Sequence, residues 1–377
     1  MLSKFSVKNF KCFSDWYTFD LSQINGYEFN TECINWEERV VKTSIIYGYN
    51  SVGKSNLGLA IFDIITHLTD KNRVENKYSS NYKHVEHEDK LTEFKYTFQF
   101  GEHTLHYSYG KTEYLNLIYE KVSIDDECII SYDRRTNTKE VEIKLSGAES
   151  LNRNLDQIKI SVLKYIKSNT VLAPEITNEI LDTFFKYTDR MLLFWSLDDR
   201  KYEGYEEGVT SILDSLVDSN HFEDFILMLK ESGLETNLVI SNDAKTGKDK
   251  IFFDYNGKLL DFYSNCSAGM RSLCLFYYWF QKIKFSPDPP SFIFIDEFDA
   301  FYHLSLAKRV VELLKATEIQ VVLTTHNTSL MTNDLLRPDC YFLMYRDKIQ
   351  SIAQSTDKDL RLAHNIEKMY KAGAFDA

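Results

Sequence analysis

Residues 48–55 read GYNSVGKS, and this octapeptide constrains the fold more than any other feature of the chain. It fits G-x-x-x-x-G-K-[ST]; in a chain this long a chance match is expected on the order of 1% of the time. Its flanks carry the context that the pattern requires. KTSIIYG (42–48) reads as a short apolar strand ending in glycine. NLGLAIFDIITHL then places Leu57, Ala60, Ile61, Ile64, Ile65 and Leu68 at helical spacing. In a strand–loop–helix unit of this kind the glycines let backbone N–H groups wrap phosphates at a helix N-terminus that favours anions. Gly48, Asn50, Ser51, Gly53 and Asn56 are therefore candidate nucleotide-binding positions. Lys54 would neutralise the terminal phosphates and Ser55 would offer a hydroxyl to Mg²⁺.

Two later stretches repeat the form of an apolar strand that ends in reactive side chains. SFIFIDEFD (291–299) sets Phe292, Ile293, Phe294 and Ile295 directly before two carboxylates, as in a buried parallel strand. Ligand chemistry gathers at the carboxyl ends of such strands. Asp296 can then hold Mg²⁺ through water, and Glu297 can polarise an attacking water as a general base. VVLTTHN (321–327) brings Thr324, Thr325 and His326 to a second strand end, where a histidine can reach a terminal phosphate or orient the water. A third stretch, SNCSAGMRS (264–272), opens a helix. Alone, Ser267 is an N-cap; beside the other motifs, Ser267 and Gly269 form a turn able to meet a phosphate.

The remaining sequence sorts by period. LSKFSVKNF (2–10) and WYTFDL (16–21) read as an N-terminal hairpin, and residues 91–145 as an antiparallel sheet of aromatic and β-branched strands. Residues 150–235 turn to steps of three and four, for example Leu155, Ile158, Val162 and Ile166, and predict helices without a sustained heptad. SNDAKTGKDK (241–250) reads as a charged loop or hairpin tip, and SPDPP (286–290) resets the chain before a strand. The net charge of −12 comes from 44 basic and 56 acidic residues with no long basic run, which disfavours an extended nucleic-acid patch. Six cysteines without a C-x-x-C pair suggest neither a zinc site nor a disulfide framework, and read as reduced cytoplasmic thiols. No stretch reaches the roughly 18 uncharged apolar residues of a membrane span, so no membrane partner is expected.

Together GYNSVGKS, SNCSAGMRS, FIFIDEFD and VVLTTHN resemble the ABC-type ATPases of the SMC, RecF and OLD-like group, over most of residues 1–110 and 250–377. The resemblance implies an α/β fold: an ABC-type P-loop ATPase head, with a mixed central sheet and an antiparallel β lobe, plus a helical insertion. It divides the chain into residues 1–149 (P-loop and β lobe), 150–238 (helical insertion) and 239–377 (signature turn, Walker B and histidine switch). It also implies ATP and Mg²⁺, and a homodimer or higher homo-oligomer with shared sites. In each site Lys54, Ser55, Asp296, Glu297 and His326 of one copy would face Ser267 and Gly269 of another. FSVKNFKCF looks like the family's first strand and basic loop, which would bring Lys11 to the phosphates. DEFDAFYH resembles its post-Walker B stretch, which would bring Asp299 and His303 to the dimer interface. Gln99 is the candidate for the Q-loop glutamine. Ala268 and Met270 replace the Gly and Gln of transporter signatures, and Leu304 stands where the family usually has proline.

Roughly 210 residues separate Ser55 from Ser267, more than a βαβ crossover needs. The excess reads as a docking or dimer-supporting subdomain, with MLLFWSLDDRKYEGYEEG (191–208) as its candidate contact surface, although Phe194 and Trp195 within it read as core. The ending HNIEKMYKAGAFDA resembles OLD-like ATPases without a nuclease domain, as in antiphage systems such as PARIS and Septu. The expected function is an ATP-dependent sensor or scaffold of antiphage defence. It would answer a phage-derived trigger and control a separately encoded effector nuclease or toxin. The alternative is a RecF- or SMC-like repair ATPase that binds DNA as an ATP-bound dimer.

Overall fold

A computed structural model gives the architecture and describes residues 1–71, 75–136, 140–155, 160–197, 201–205, 217, 221–231, 233–243 and 246–375. Its centre is a seven-stranded sheet in the order Lys201–Gly204, Met191–Trp195, Phe292–Asp296, Gln320–Thr325, Thr43–Tyr47, Tyr341–Met344, Ile349–Ser351. The five inner strands run parallel, and one antiparallel strand closes each edge. All five inner strands are buried along their whole length, which is why they read as unbroken apolar runs rather than as alternation.

The second sheet is wholly antiparallel, in the order Glu142–Ile143, Glu127–Asp133, Asn116–Ile124, His103–Glu113, Thr92–Phe100, Leu2–Lys8, Tyr17–Asp20. The N-terminal hairpin and the 91–145 strands thus form one lobe. Their alternating burial shows one face on the core and one toward solvent. The expected α/β head with a mixed central sheet and an antiparallel lobe is the observed architecture.

The two sheets are joined by buried polar contacts as well as by apolar packing. Gln320 is fully buried and donates through Nε2 to the carbonyls of Leu2 (2.8 Å) and Val41 (3.1 Å). Its Oε1 accepts from Leu2 N–H and from the Tyr187 hydroxyl, both at 2.9 Å. The P-loop helix, Lys54–Phe62, meets Phe294 at Gly58 on its sheet side. On its lobe side, the Tyr96 hydroxyl donates to the carbonyls of Ala60 and Ile61.

The segment 150–238 departs from a purely helical insertion. Helices Val162–Asn169, Ile176–Asp189 and Phe222–Glu231 are present, and none is long enough for a coiled-coil arm. Between them, however, Met191–Trp195 is an inner strand of the central sheet, paired in parallel with Phe292–Asp296. Five consecutive apolar residues carry no period, and here tertiary pairing chooses strand. Within the candidate contact surface 191–208, Phe194 and Trp195 are 7% and 4% exposed and belong to the core, as expected of these two residues, so they are not part of any contact surface. Residues 198–200 and 206–208 of that stretch lie outside the described residues. The ends of SNDAKTGKDK belong to the antiparallel strands Leu238–Asn242 and Asp249–Tyr255, as a hairpin requires, and residues 244 and 245 lie outside the described residues. Among the described residues no helix is long and apolar enough to cross a membrane.

Candidate functional site

The site lies at the carboxyl ends of the adjacent strands Phe292–Asp296, Gln320–Thr325 and Thr43–Tyr47. Their parallel register carries Asp296, His326 and the P-loop to one edge of the sheet. The loop turns through Ser51 (φ 64°) and Gly53 (φ 112°) before the helix begins at Lys54. Gly53 is confined twice over, because its φ strains any L side chain and a Cβ there would stand 2.6 Å from Cys12 Sγ.

Lys54 is 5% exposed and folds back across the loop. Its ammonium donates to the Gly48 carbonyl (3.1 Å), lies 2.8 Å from His326 Nε2 and is 3.7 Å from Glu297 Oε1. Glu297 Oε1 is in turn 3.0 Å from His326 Nε2. A lysine ammonium can only donate, so in the Lys54 contact Nε2 of His326 is the acceptor. Burial holds the Lys54 ammonium below its ordinary pKa, opposed by the charges of Glu297 and Asp296.

Beside this triad, the Ser55 hydroxyl donates to Asp296 Oδ2 at 2.7 Å. The other carboxylate oxygen, Oδ1, accepts from the Thr324 hydroxyl at 2.8 Å. That same hydroxyl accepts the Glu297 N–H at 2.8 Å, where Glu297 holds the left-handed conformation (φ 50°) that costs a non-glycine residue about 1 kcal/mol or more. Thr324 is fully buried, so one hydroxyl fixes both the Asp296 carboxylate and the strained turn that aims Glu297 at Lys54. The sequence places Thr324 at a strand end without revealing this role. Its signal was a polar residue closing an otherwise apolar strand.

The remaining candidates fall as follows. Asn50 and Ser51 are exposed at the loop tip. The Asn56 amide donates to Cys12 Sγ at 3.2 Å, so it faces the basic turn of residues 9–13 rather than the loop mouth. Lys11 lies in that turn, one residue from the P-loop contact, with its ammonium on the Ser80 carbonyl (2.7 Å). Asp299 accepts from its own chain's Thr325 hydroxyl (2.6 Å), and His303 caps the helix Leu304–Lys315 from an exposed position. Ser267 caps the helix Ala268–Phe285 by accepting from Met270 N–H (3.2 Å). Gly269 packs so closely that a Cβ would lie 2.7 Å from the Phe301 carbonyl. Among the described residues no hydrogen bond ties Ser267 or Gly269 to the P-loop of the same chain.

Gln99 does not belong to the site. It closes a hairpin turn, donating to the Gly101 carbonyl and accepting from the Thr104 hydroxyl, both at 2.9 Å. It stands seven residues, roughly 23 Å of strand, from Thr92, whose hydroxyl bonds the turn beside the P-loop. Propensity could not separate the two ends of that strand.

The donor set suits a hard cation. Ser55 and Asp296 offer adjacent oxygens, the small protein share of a Mg²⁺ shell that phosphates and water complete. Among the described residues no cluster of three or more His, Cys, Asp or Glu side chains could hold a metal unaided.

Comparison with known proteins follows this geometry. The chain is similar in structure to an SMC head bound to the C-winged helix domain of ScpA (15% identity, 93% of this chain and 97% of that chain, TM-score 0.43). It is similar too to the SMC head domain from Thermotoga maritima (14%, 93% and 97%, TM-score 0.43). A third is the Pyrococcus furiosus Smc head with an extended coiled coil bound to the C-terminal domain of ScpA (13%, 100% and 99%, TM-score 0.44). No curated protein matches the sequence. Residues 44–332, from the strand before the P-loop to the stretch beyond His326, match one family over most of the chain. The chain therefore belongs to the P-loop ATPase family described as "AAA domain, putative AbiEii toxin, Type IV TA system".

Proposed function

We propose that the chain is an ATP-binding and ATP-hydrolysing sensor and scaffold of bacterial antiphage defence, assembled through nucleotide held between copies. It controls a separately encoded effector nuclease or toxin in response to a phage-derived trigger. The observation that carries the catalytic part is the convergence of Lys54, Glu297 and His326 within 3.7 Å, beside the Ser55–Asp296 pair. The family's description, which names a toxin of a toxin–antitoxin system, supports the defence setting.

In this reading phosphates draw the Lys54 ammonium off His326, which frees Nε2 to accept a hydrogen bond from the attacking water or, once protonated, to donate one to the terminal phosphate. Glu297 then holds and deprotonates the attacking water, and His326 orients it or the terminal phosphate. Bound at Ser55 and Asp296, Mg²⁺ would neutralise charge on the phosphate oxygens. Ser267 and Ala268 are exposed, and among the described residues their turn makes no hydrogen bond to its own P-loop, so it can present helix N–H groups to a phosphate held by a second copy.

Lys54→Ala should abolish ATP turnover, and an unchanged rate would refute the site. Glu297→Gln should retain ATP and shift the protein to a larger species on sizing with ATP. The shared site fails if that variant elutes identically with and without nucleotide. Mixtures of Ser267→Arg and Lys54→Ala chains should recover one composite site in two, and equal loss in every mixture would argue against sharing.

A further inference from the structure

The strand Phe292–Asp296 has two unlike faces. Phe292 and Phe294 point to the P-loop helix, where Phe292 meets the ring of Phe62 (centroids 5.9 Å) and Phe294 lies against Gly58. Ile293 and Ile295 therefore face the other side of the sheet, with Phe194 beside Ile295 on the neighbouring strand. The helix Ala268–Phe285 turns a stripe toward them, in which Leu275, Phe276, Trp279 and Ile283 recur at steps of three and four. A cleft of about 540 Å³, its mouth included, lies between stripe and strands, and Phe298 and Val310 complete its walls. Protein interiors rarely leave such space, and sites for small molecules typically measure about 300–1,000 Å³.

Among the described residues no charged side chain lines the cleft, so an ion entering it would lose water without gaining a counter-charge. Phe276, Trp279 and Phe298 offer rings against which another flat ring packs well. One polar group is left over. Trp279 is 1% exposed, and its indole N–H has no hydrogen-bond partner among the described residues. A buried indole nitrogen normally finds one, as the cleft's other indole does: Trp195 donates to Glu203 Oε1 at 3.2 Å. A water beside Trp279 would need at least about two polar partners. An acceptor atom set in an aromatic ring satisfies the N–H and fills the apolar space with one molecule.

We propose that this cleft binds a small, neutral aromatic molecule of about one or two rings, which carries a hydrogen-bond acceptor for the Trp279 N–H. Ile295 directly precedes Asp296, and Phe298 directly follows Glu297. Leu275 lies two turns into the helix that Ser267 caps. The occupant therefore touches the elements that carry the candidate site without entering it, and its binding requires no nucleotide.

The test uses the full chain without nucleotide, N-phenylnaphthylamine as a fluorescent probe, and quinoline, naphthalene and the naphthalene carboxylate anion as competitors. Probe fluorescence should rise to saturation and be reversed by quinoline and by naphthalene. These two share a frame and differ by one ring nitrogen. Trp279→Phe should therefore lower the quinoline-to-naphthalene affinity ratio about 3- to 10-fold, the worth of one neutral hydrogen bond. The carboxylate should bind at least about 10-fold more weakly than naphthalene itself. Leu275→Trp and Val310→Phe fill the cleft from different helices, and each should weaken the probe at least about 10-fold. Either one is read only if its urea midpoint matches the parent's, and the Trp279→Phe ratio depends on neither. Absence of saturable binding overturns the proposal, as does binding that survives filling in a folded variant. A ratio unchanged by Trp279→Phe, or a carboxylate that competes as well as naphthalene, overturns it too. ATP turnover is not read in this experiment, so its failure leaves the ATPase reading intact.

Discussion

Lys111→Met is expected to destabilise the protein by about 3–5 kcal/mol, because it leaves a carboxylate buried without its cation. Asp63 follows the P-loop helix directly, and both Asp63 and Lys111 are fully buried. Asp63 Oδ2 accepts from Lys111 Nζ (2.5 Å) and the Tyr109 hydroxyl (2.9 Å), and Oδ1 accepts from the Tyr82 hydroxyl (3.0 Å). Lys111 also donates to Thr66 Oγ1 (2.8 Å). The two tyrosine hydroxyls survive the substitution, and each hydrogen bond to a charged group is worth about 1.5–3 kcal/mol. The cost therefore falls toward the lower figure, about 3 kcal/mol, against a total stability of about 5–15 kcal/mol. At a urea slope of about 3 kcal/mol/M the unfolding midpoint should drop by about 1 M. Asp63→Asn/Lys111→Met removes both charges and should lose about 2 kcal/mol less than the two single variants summed. Urea titrations followed by circular dichroism supply all four corners of the cycle. A single variant within about 1 kcal/mol of the parent, or strict additivity, would refute the account of this pair as a buried clamp between helix and lobe.

Three further outcomes follow from named contacts. Thr324→Val keeps the shape but strips the hydroxyl shared by Asp296 and Glu297; ATP turnover should fall about 10- to 100-fold, with Thr324→Ser recovering most of it. Turnover of the valine variant within twofold of the parent would sink that role. Gly269→Ala drives a Cβ against the Phe301 carbonyl and should cost about 1–3 kcal/mol without nucleotide; urea unfolding that matches the parent would contradict the packing. Burial raises the Glu120 carboxyl above its ordinary range, against hydrogen bonds from Ser161, Val162 and Tyr107. The folded state then binds the proton more tightly than the unfolded one. Stability from this group is full below the unfolded value near 4.5 and declines as pH rises through the folded pKa. Urea midpoints of the parent and Glu120→Gln across pH 4.5–7 should converge in slope only if Glu120 carries no such linkage.

Local order was legible wherever a short pattern is enough to specify geometry. GYNSVGKS between an apolar strand and an amphipathic helix admits one kind of loop, and Ser51 and Gly53 adopt the left-handed angles it needs. The alternation of the N-terminal and 91–145 strands likewise shows one buried face, because a period of two is written residue by residue. Where periodicity is absent, tertiary pairing decided. MLLFW became an inner strand only because Phe292–Asp296 lies beside it, and Gln99 was carried to the far end of its strand by a turn. The same holds for the site. Sequence determined that lysine, serine, carboxylates and histidine end their elements at strand tips. Only the parallel order of three strands brought Lys54, Glu297 and His326 within hydrogen-bonding reach and gave Thr324 its place between Asp296 and Glu297. Register across a sheet joins residues that the chain separates by tens or hundreds of positions.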